Sequence, residues 1–537
     1  MLLPLRRVAA TLAVALSACT APGPPPSPSP PQTPDRTPTP SPTPTPRIVT
    51  LEDLAPGLRP AQRTFANPEP SVAEPGPAVS LAFAEQTGRR RFDQANVGLS
   101  FEASDLADER WDPTKSYLDE LVGALDRPSL RFGGNSVDRR VWWTSSGEPA
   151  PDWAEVTLTP ADLTRLAAFV ARTRATVTLV VGLGHDDPAR AADLVAHARA
   201  ALGDSLVAVS IGNEPNGFAL ASQPQYRMRP DSYSPAQYVA EVRPYVEAIH
   251  AQVPGLGVVG PGTFDAPWWR AFGDARLPHT VAMSQHWYPL WSCDGSAEPN
   301  AAPTVANLVS PWLHERASFI LGMGLQTAAR YDLPLWMEEA GPTSCAGTNE
   351  TSRTHAQALW TADFTLHAAA LGVRRLNHHG MIDACRGGAP MSPLCDTGSL
   401  GSRSPELMGQ SNYLALLQLA RLREGTFRAV RVSGDERVRA YAIEDDAGTD
   451  LVVVNMNDPS SVGASPLTLT LPDGWTPTRA SVLWADTLDV RNGTSLVPWS
   501  AATQVPTHVN AGSVLAVRLD RSASPVAVAS PTATPNR

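Results

Sequence analysis

Two glutamates stand at the ends of predicted strands, where they are best placed to do chemistry. Glu214 follows the apolar run Leu206–Ile211, inside the turn-forming segment Gly212-Asn213-Glu214-Pro215-Asn216. Glu339 ends a second apolar run that starts at Leu333. Glycosidic bond hydrolysis needs two carboxyl groups on one bond, one to protonate the leaving oxygen and one to attack the anomeric carbon. The alternative for Glu214 is an exposed residue that caps the next helix.

Strands and helices alternate around these two glutamates. The pattern predicts strands at 97–101, 129–132, 176–181, 206–211, 257–260, 281–286, 333–339 and 373–379, with helical patterns between most of them. Such an order favours a (β/α)8 TIM barrel, in which the carboxyl ends of all strands meet at one catalytic face. A doubly wound sheet is the structural rival, but the first strand lacks the Gly-rich phosphate turn of that fold.

The pattern changes near Thr426, where short segments of alternating polarity replace the helical ones. We therefore predict an α/β chain with a catalytic barrel at residues 95–424 and a C-terminal antiparallel β-sandwich at 425–520. The segment 51–94 is predicted to contribute one or more strands to this β-domain.

The N-terminus is typical of an export signal. Arg6 and Arg7 precede a short apolar stretch that ends in Leu16-Ser17-Ala18-Cys19, which resembles a bacterial lipobox. We predict a lipoprotein signal peptide at residues 1–19, with Cys19 as the lipidated residue. An ordinary signal peptide cut near Ala18 is the alternative, and both predict an exported protein, either a cell-surface lipoprotein or a secreted one.

The amino-acid composition limits the classes of partner that the chain is expected to bind. The 537 residues carry 43 basic and 53 acidic side chains, a net charge of −10 that disfavours nucleic acid. Residues 20–50 are rich in Pro, Ser and Thr and predict a disordered tether, and 521–537 predict a disordered tail. No later apolar run could span a bilayer, so membrane contact is expected only through a lipid anchor. We expect a monomer.

Four cysteines remain when Cys19 is set aside, an even number in an oxidising compartment. Three pairings are possible, and the preferred one joins Cys293 to Cys345 and Cys385 to Cys395. Their spacings match no zinc pattern, so no metal and no cofactor are expected.

Several motifs together resemble glycoside hydrolase family 79, the heparanase-like enzymes. They are Ile211-Gly212-Asn213-Glu214-Pro215-Asn216, Gly98-Leu99-Ser100-Phe101-Glu102, Leu130-Arg131-Phe132-Gly133-Gly134-Asn135-Ser136, His286-Trp287-Tyr288, Trp336-Met337-Glu338-Glu339 and Asn377-His378-His379-Gly380. This resemblance spans residues 78–520. It implies a retaining β-glycosidase that acts on β-glucuronides in glycosides, oligosaccharides or polysaccharides.

The resemblance also implies residue roles. Glu214 would be the general acid/base, Glu339 the nucleophile and Tyr288 the residue that orients the nucleophile, while Asn213 would bind the sugar 2-hydroxyl. Glu338 is the rival nucleophile, but adjacent strand residues point to opposite faces, so only one of the two glutamates should enter the barrel mouth.

Further substrate contacts are expected at Asn135, Gly134, His286 and His379. Members of the family hold the sugar carboxylate with a Tyr followed by glycines just after the nucleophile. This chain has Ala340-Gly341-Pro342-Thr343-Ser344-Cys345-Ala346-Gly347 instead. Ser344 and the backbone near Gly347 are the predicted replacements.

The missing Tyr leaves two alternatives open. The first is a retaining glycosidase of another sugar, such as a β-xyloside or β-glucoside. The second is a non-catalytic surface protein that binds carbohydrate. Sugar stacking is also expected from some members of a group of tryptophans, namely Trp142, Trp143, Trp268, Trp269 and Trp287.

Overall fold

The computed structural model describes residues 49–521, apart from 221–223, 383, 387–390, 400–403 and 405. The predicted signal peptide, Cys19, nearly all of the tether and the tail beyond residue 521 lie outside the described residues. In the part that is described, no helix is both long and apolar enough to cross a membrane.

Eight parallel strands form a closed barrel. A preceding strand, β1 (Val79–Phe92), belongs to the second sheet described below. The barrel strands are β2 (Gly98–Glu102), β3 (Ser129–Gly133), β4 (Thr176–Val181), β5 (Leu206–Ile211), β6 (Gly257–Thr263), β7 (Thr280–Trp287), β8 (Leu335–Ala340) and β9 (Arg375–His379). Each pairs with its neighbours in chain order, and β9 closes the ring against β2.

A helix follows every barrel strand, so each unit is a β-then-α repeat. These helices are α1 (Leu118–Gly123), α2 (Pro160–Thr173), α3 (Pro188–Leu202), α4 (Pro235–Gln252), α5 (Ala266–Asp274), α6 (Pro311–Ala329), α7 (His355–Leu371) and α8 (Ser411–Leu419). Five of them, α2 to α6, carry Pro in the first two positions, where its missing N–H costs no helical hydrogen bond. The barrel prediction is confirmed.

The second sheet has nine strands and is mostly antiparallel. Its C-terminal strands are β10 (Gly425–Ser433), β11 (Val438–Glu444), β12 (Gly448–Asn455), β13 (Ala464–Thr470), β14 (Trp475–Trp484), β15 (Ser495–Ala501), β16 (His508–Asn510) and β17 (Ser513–Arg521). The strand order is β15-β14-β17-β12-β11-β10-β1-β13-β16. Strand β1 pairs antiparallel with β10 and parallel with β13. The N-terminal segment therefore supplies an inner strand of this sheet.

Both faces of the central strands of this sheet are buried. Val452 and Val454 of β12 pack into the same apolar core as the barrel and its helices. Leu451 and Val453, which alternate with them, pack into a second core within the β-domain. Because both faces are covered, β12 is a continuous apolar run rather than an alternating one.

Both preferred disulfides are confirmed. Cys293 is bonded to Cys345 across 52 residues of sequence, and Cys385 to Cys395 across 10. The longer link ties the loop after β7 to the loop after β8. It therefore joins two segments that follow candidate catalytic strands.

Candidate active site

Glu214 leaves β5 on a strained turn. Its φ of 46° lies in the left-handed region, which a residue with a side chain rarely adopts, and Gly212 nearby has a φ of 74°. The turn is held because the Glu214 N–H donates to the Gly262 carbonyl at 3.1 Å and the Gly217 N–H donates to the Glu214 carbonyl at 2.7 Å. The side chain remains 20% exposed.

Glu339 lies deeper, near the end of β8, and a β-bulge sets its direction. Met337 pairs with Gln285 of β7, and Glu339 pairs with the next residue of β7, His286. Glu338 is therefore an extra residue of β8 that has no pairing partner in β7. The simple alternation assumed from sequence is therefore broken. Glu338 is buried against Asn377, whose amide donates to its carboxylate at 3.3 Å, and does not reach the barrel mouth.

Charged and polar donors surround the Glu339 carboxylate. Arg131, which is itself buried, donates to Oε2 at 2.6 Å, and the Tyr288 hydroxyl donates to Oε1 at 2.7 Å. Burial alone would raise the pKa of Glu339. The charges of His379, His286 and Arg131 and the Tyr288 hydrogen bond outweigh it and hold the pKa well below the ordinary value of 4.5. Glu339 is thus kept ionised.

Tyr288, in contrast to Glu339, is held in its protonated form. Burial first, and then the neighbouring Glu339 charge and the hydrogen bond to it, raise the pKa of Tyr288 well above its ordinary value. The phenol therefore stays protonated and acts as a donor to Glu339 at any pH the protein meets. This places Tyr288 where the sequence predicted it, beside the candidate nucleophile.

The two glutamates face each other across a short gap. One carboxylate oxygen of Glu214, one of Glu339 and a ring nitrogen of His286 all lie within 4.8 Å of one another. His286 Nδ1 is 3.0 Å from Glu214 Oε1 and 3.8 Å from Glu339 Oε2. A separation of about 5–5.5 Å characterises retaining glycosidases, whereas inverting ones leave about 6.5–9.5 Å for a water molecule.

These three side chains also form the one cluster of metal-type donors found among the described residues. They could hold a divalent cation, but the Arg131 guanidinium already bonds Glu339 at 2.6 Å and would repel it. The donors fit proton transfer and nucleophilic attack better than ligation.

Asn213 presents an unused donor to the site. Its Oδ1 accepts from Arg131 at 2.6 Å, which turns the amide Nδ2 the other way, and that nitrogen is buried with no protein partner. A buried donor without an acceptor is costly, so a substrate hydroxyl is its natural partner. Arg131 therefore orients both the candidate nucleophile and this amide, a role that the motif alone did not reveal.

Asp138 fixes the backbone beneath Asn213. Its buried carboxylate accepts from the N–H groups of Leu183 at 2.6 Å, Gly184 at 3.1 Å and Asn213 at 2.8 Å. It thus ties the end of β4 to the end of β5. The sequence signal was an acidic residue just after the Gly-Gly-Asn-Ser turn, but its partners are distant in the chain and could not be inferred.

Gly134 lies against Glu102 rather than open space. A Cβ at Gly134 would sit 2.3 to 2.5 Å from the Glu102 carboxylate, and the φ of Gly134 is 68°. Glu102 Oε1 accepts from the Asn135 N–H at 3.1 Å, and Oε2 accepts from the Ser136 N–H at 2.7 Å. Because Gly134 has no side chain, the buried Glu102 carboxylate can occupy this space beside the site.

Asn135 is held by Arg139, four residues later. Arg139 donates to the Asn135 side-chain oxygen at 3.2 Å and to the Tyr226 carbonyl at 2.6 Å. Among the described residues its hydrogen-bond partners are neutral oxygens, so its charge is not neutralised by a bonded carboxylate. Burial lowers the pKa of Arg139, while the charges of Asp138 and Glu214 oppose that change.

The two histidines that end β9 point in different directions. His379 Nδ1 is 3.2 Å from Ser100 Oγ and its Nε2 is 3.8 Å from Glu102, so it faces the site. His378 Nε2 is 2.8 Å from the Thr365 hydroxyl of α7, and burial lowers its pKa to about 3. Only His379 can therefore meet a substrate.

The predicted carboxylate-binding loop is exposed at both of its candidate residues. Ser344 is exposed, and its N–H donates to the Leu290 carbonyl at 3.3 Å. Gly347 is exposed with a φ of 75°, and no atom lies near the position of a Cβ there. Their part in substrate binding stays a prediction.

Most of the tryptophans expected to stack on sugars are buried. Trp143, Trp268, Trp269 and Trp287 are core residues, and Trp142 is covered by Arg190, whose guanidinium lies 3.5 Å from the ring centre. Among the described residues, the clearly exposed aromatic rings on loops that follow barrel strands are instead Phe264, after β6, and Trp291, after β7, which sequence reasoning did not single out.

No model of a known protein family and no curated protein matches the chain. Solved structures do resemble it. A 4-O-α-L-rhamnosyl-β-D-glucuronidase from Fusarium oxysporum is 19% identical, with a TM-score of 0.61 over 82% of this chain and 100% of the other. A family 51 arabinofuranosidase from Xanthomonas axonopodis pv. citri is 14% identical, with a TM-score of 0.59 over 83% and 100%. A monomeric β-xylosidase from Caulobacter crescentus is 16% identical, with a TM-score of 0.51 over 83% and 100%. At these identities the likeness is one of fold.

Proposed function

We propose that this chain is a retaining β-glycosidase that hydrolyses β-glucuronides by double displacement. One observation carries the proposal. Two carboxylates lie within 4.8 Å of one another at the carboxyl ends of barrel strands, in unequal surroundings. Glu339 is buried and bonded to the Arg131 guanidinium, while Glu214 is partly exposed and lies 3.0 Å from the His286 ring nitrogen.

The first half of the reaction uses Glu339 as nucleophile and Glu214 as acid. A Glu339 oxygen attacks the anomeric carbon as the glycosidic oxygen leaves with the proton of Glu214. The product is a glycosyl ester on Glu339 and a free alcohol. Arg131 and Tyr288 hold the attacking carboxylate in place.

The second half reverses these roles. Glu214, now ionised, takes a proton from a water molecule, which attacks the anomeric carbon and releases Glu339. The configuration of the anomeric carbon is inverted twice and so retained. Asn213 Nδ2 is the donor proposed to bind the 2-hydroxyl, where hydrogen bonds strengthen in the transition state.

Three features support a sugar with a carboxylate. The motif set resembles family 79, and the Fusarium structure is named as a glucuronidase. In addition, Arg139 bonds Asn135 beside the cleft without a bonded anionic partner among the described residues. A guanidinium in that situation suits an anionic group on the substrate.

A second candidate keeps the mechanism and changes the sugar to a neutral one, such as a β-xyloside. The loop 340–347 lacks the family's Tyr, and other neighbours of similar fold are named as a xylosidase and arabinofuranosidases. Rates with a panel of aryl β-glycosides that share one leaving group separate the two candidates.

The mechanism is tested by removing each carboxylate in the presence of azide. Glu339→Ala should abolish hydrolysis of an aryl β-glucuronide, and azide should then give the α-glycosyl azide by direct displacement. Glu214→Ala should lose roughly 10²–10⁴-fold on substrates that need protonation. Azide should then give the β-glycosyl azide, because the Glu339 ester still forms.

Glu338→Gln is the matched control, since it changes the adjacent buried glutamate without touching the mouth of the barrel. It should keep wild-type turnover at low temperature, though the folded state should lose stability because Arg375 loses a charged neighbour. Unchanged turnover in Glu339→Ala, or azide products of the reversed configuration, would contradict the assignment.

We further propose that the protein is exported and lipid-anchored, on the evidence of the lipobox-like segment ending at Cys19. Cys19→Ser should release the protein from the membrane fraction into the medium or leave the precursor uncleaved. Unchanged membrane association and processing would contradict lipidation.

A further inference from the structure

Few large apolar side chains of the described residues are exposed to solvent. Among the described residues five are clearly exposed, namely Tyr117, Phe264, Val281, Trp291 and Phe319. Phe264 follows the last residue of β6, and Trp291 follows β7 by four residues, so both lie on the catalytic face. Val281 is the second residue of β7, at the other end of the barrel, and Phe319 lies within α6.

The backbone around Phe264 is fixed. Thr263, just before it, accepts a hydrogen bond from the Trp269 indole at 3.1 Å, and α5 begins two residues later. Gly262 accepts the Glu214 N–H at 3.1 Å. The 47% exposure of the Phe264 ring is therefore a feature of an ordered segment that is tied directly to the acid/base turn.

Trp291 is fixed in the same way. The Leu290 N–H donates to the Pro342 carbonyl at 3.1 Å, and the Ser292 N–H donates to the Ala301 carbonyl at 3.0 Å. Cys293, two residues on, is bonded to Cys345. The indole is nevertheless 53% exposed. The exposed indole is therefore held in a fixed position, available for contact with a ligand.

Both rings lie on the rim between the two catalytic strands. The barrel order is β5, β6, β7, β8, with Glu214 after β5 and Glu339 on β8. Since Glu214 protonates the leaving oxygen, the leaving group must lie next to the loop that follows β5. The loop after β6, which carries Phe264, is one of the two neighbours of that loop.

On the other neighbouring side, the indoles that the structure describes are only partly exposed. Trp153 is stacked on His185, with ring centres 3.6 Å apart, and Trp142 is covered by the Arg190 guanidinium at 3.5 Å. Each of these two indoles therefore already has one face covered. Among the described residues, the clearly exposed aromatic rings on loops near Glu214 in the barrel order are Phe264 and Trp291, after β6 and β7.

We infer that Phe264 and Trp291 form a binding platform for a sugar leaving group, so that the substrate is a glycan that continues beyond the cleaved bond. The C–H faces of pyranose rings stack on aromatic rings, which bury apolar area without needing hydrogen-bond partners. This inference rests on the proposed glycosidase function and adds the chemical class of the leaving group.

The test compares two substrates that share one glycone. β-Glucuronosyl fluoride has no ring in its leaving group, whereas a tetrasaccharide of alternating β-linked glucuronic acid and N-acetylglucosamine has one. Phe264→Ala and Trp291→Ala should each lower kcat/KM for the tetrasaccharide by about 10-fold, a loss that corresponds to about 1.4 kcal/mol. Both should leave the fluoride within about 2-fold of wild type.

Phe319→Ala is the matched control, because Phe319 is 56% exposed on α6, away from the cleft. It should change neither substrate. Equal rates for all three variants with the tetrasaccharide, or an equal loss with the fluoride, would overturn the platform. So would a wild-type enzyme that cleaves the fluoride and not the tetrasaccharide.

Binding separates this inference from the proposed function. In a Glu339→Ala background, calorimetric titration with the same tetrasaccharide should show affinity that falls about 10-fold on Phe264→Ala or Trp291→Ala. Such a result supports the platform even if the wild type hydrolyses neither substrate, an outcome that defeats the proposed function alone. Binding that is absent or insensitive to both substitutions overturns the platform.

Discussion

Arg131 contacts both the proposed nucleophile and the amide that is proposed to bind the substrate. One of its nitrogens lies 2.6 Å from the Glu339 carboxylate and another lies 2.6 Å from the Asn213 amide oxygen. A planar guanidinium reaches two acceptors at fixed geometry, which an ammonium cannot do. The nucleophile and the predicted 2-hydroxyl contact are therefore set by one buried side chain.

We expect Arg131→Met to shift the acid limb of the pH–activity profile to higher pH. In the wild type the pKa of Glu339 lies well below 4.5, so the nucleophile stays ionised as pH falls through that value. Loss of the cation raises that pKa, and the nucleophile is then protonated sooner as the pH decreases. The measurement is kcat/KM against pH with an activated aryl substrate.

Arg131→Lys serves as the control for charge. It keeps the cation, so the acid limb should stay closer to the wild-type position, while kcat falls because Asn213 loses its bond. The same linkage affects stability. A depressed Glu339 pKa stabilises the folded state above pH 4.5, and this contribution is lost as the pH falls below that value. An unmoved limb in Arg131→Met would contradict this account.

We expect Tyr288→Phe to lower kcat by about 10- to 150-fold with little change in KM. The change removes one hydrogen bond to a charged group, from the Tyr288 hydroxyl to Glu339 at 2.7 Å, which is worth about 1.5–3 kcal/mol. Tyr413→Phe removes a buried hydroxyl of the same kind, bonded to the Leu121 carbonyl at 2.8 Å, and should affect stability alone. Equal kinetics for both variants would show that Tyr288 has no special role.

The barrel strands were predictable from sequence because each is a short buried run ended by turn residues. Strands β4 and β5 begin and end at the predicted residues. Helix α5 was missed, because its nine residues include Pro267 and two tryptophans and look like a loop. The β-bulge at Glu338 was also missed, since a bulge depends on the pairing of three strands and leaves no signal in one of them.

The site was predicted in part for the same reason. Strand ends can be read along the chain, so Glu214, Glu339 and Tyr288 were found. The contacts of Arg131, Asp138 and Glu102 join segments far apart in sequence, and only the closed barrel brings them together. The exposure of Phe264 and Trp291 could not be predicted from the sequence either, because it depends on which surfaces the rest of the fold covers.

The two disulfides should differ in their contribution to stability. Loop-closure entropy predicts about 4 kcal/mol for the 52-residue separation of Cys293 and Cys345, and about 3 kcal/mol for the 10-residue separation of Cys385 and Cys395. Denaturant unfolding of the two double-Ala variants measures the difference. A larger loss for the Cys385–Cys395 variant would show that local strain, rather than chain entropy, dominates.

At the scale of the whole molecule, the barrel and the β-domain share a core. Val452, Val454 and Val514 of the sheet are buried in the same cluster as the barrel helices. We therefore expect residues 49–521 to unfold in one cooperative transition. The temperature at which the proposed activity is lost should coincide with a single calorimetric peak, and two separate peaks would contradict a shared core.

Strand β1 is an inner strand of the β-domain, yet it precedes the whole barrel in the chain. Its Ala84 carbonyl accepts a hydrogen bond from Arg428, 344 residues later. At roughly 5–20 residues per second, synthesis of that interval takes on the order of tens of seconds. During this time β1 has no partner strand. Arg90 and Arg91 near its end place charge on a segment that would otherwise be a template for aggregation. The order of the elements along the chain therefore has a cost during synthesis. The first strand must stay soluble, without its partner strands, until the C-terminal domain has been made.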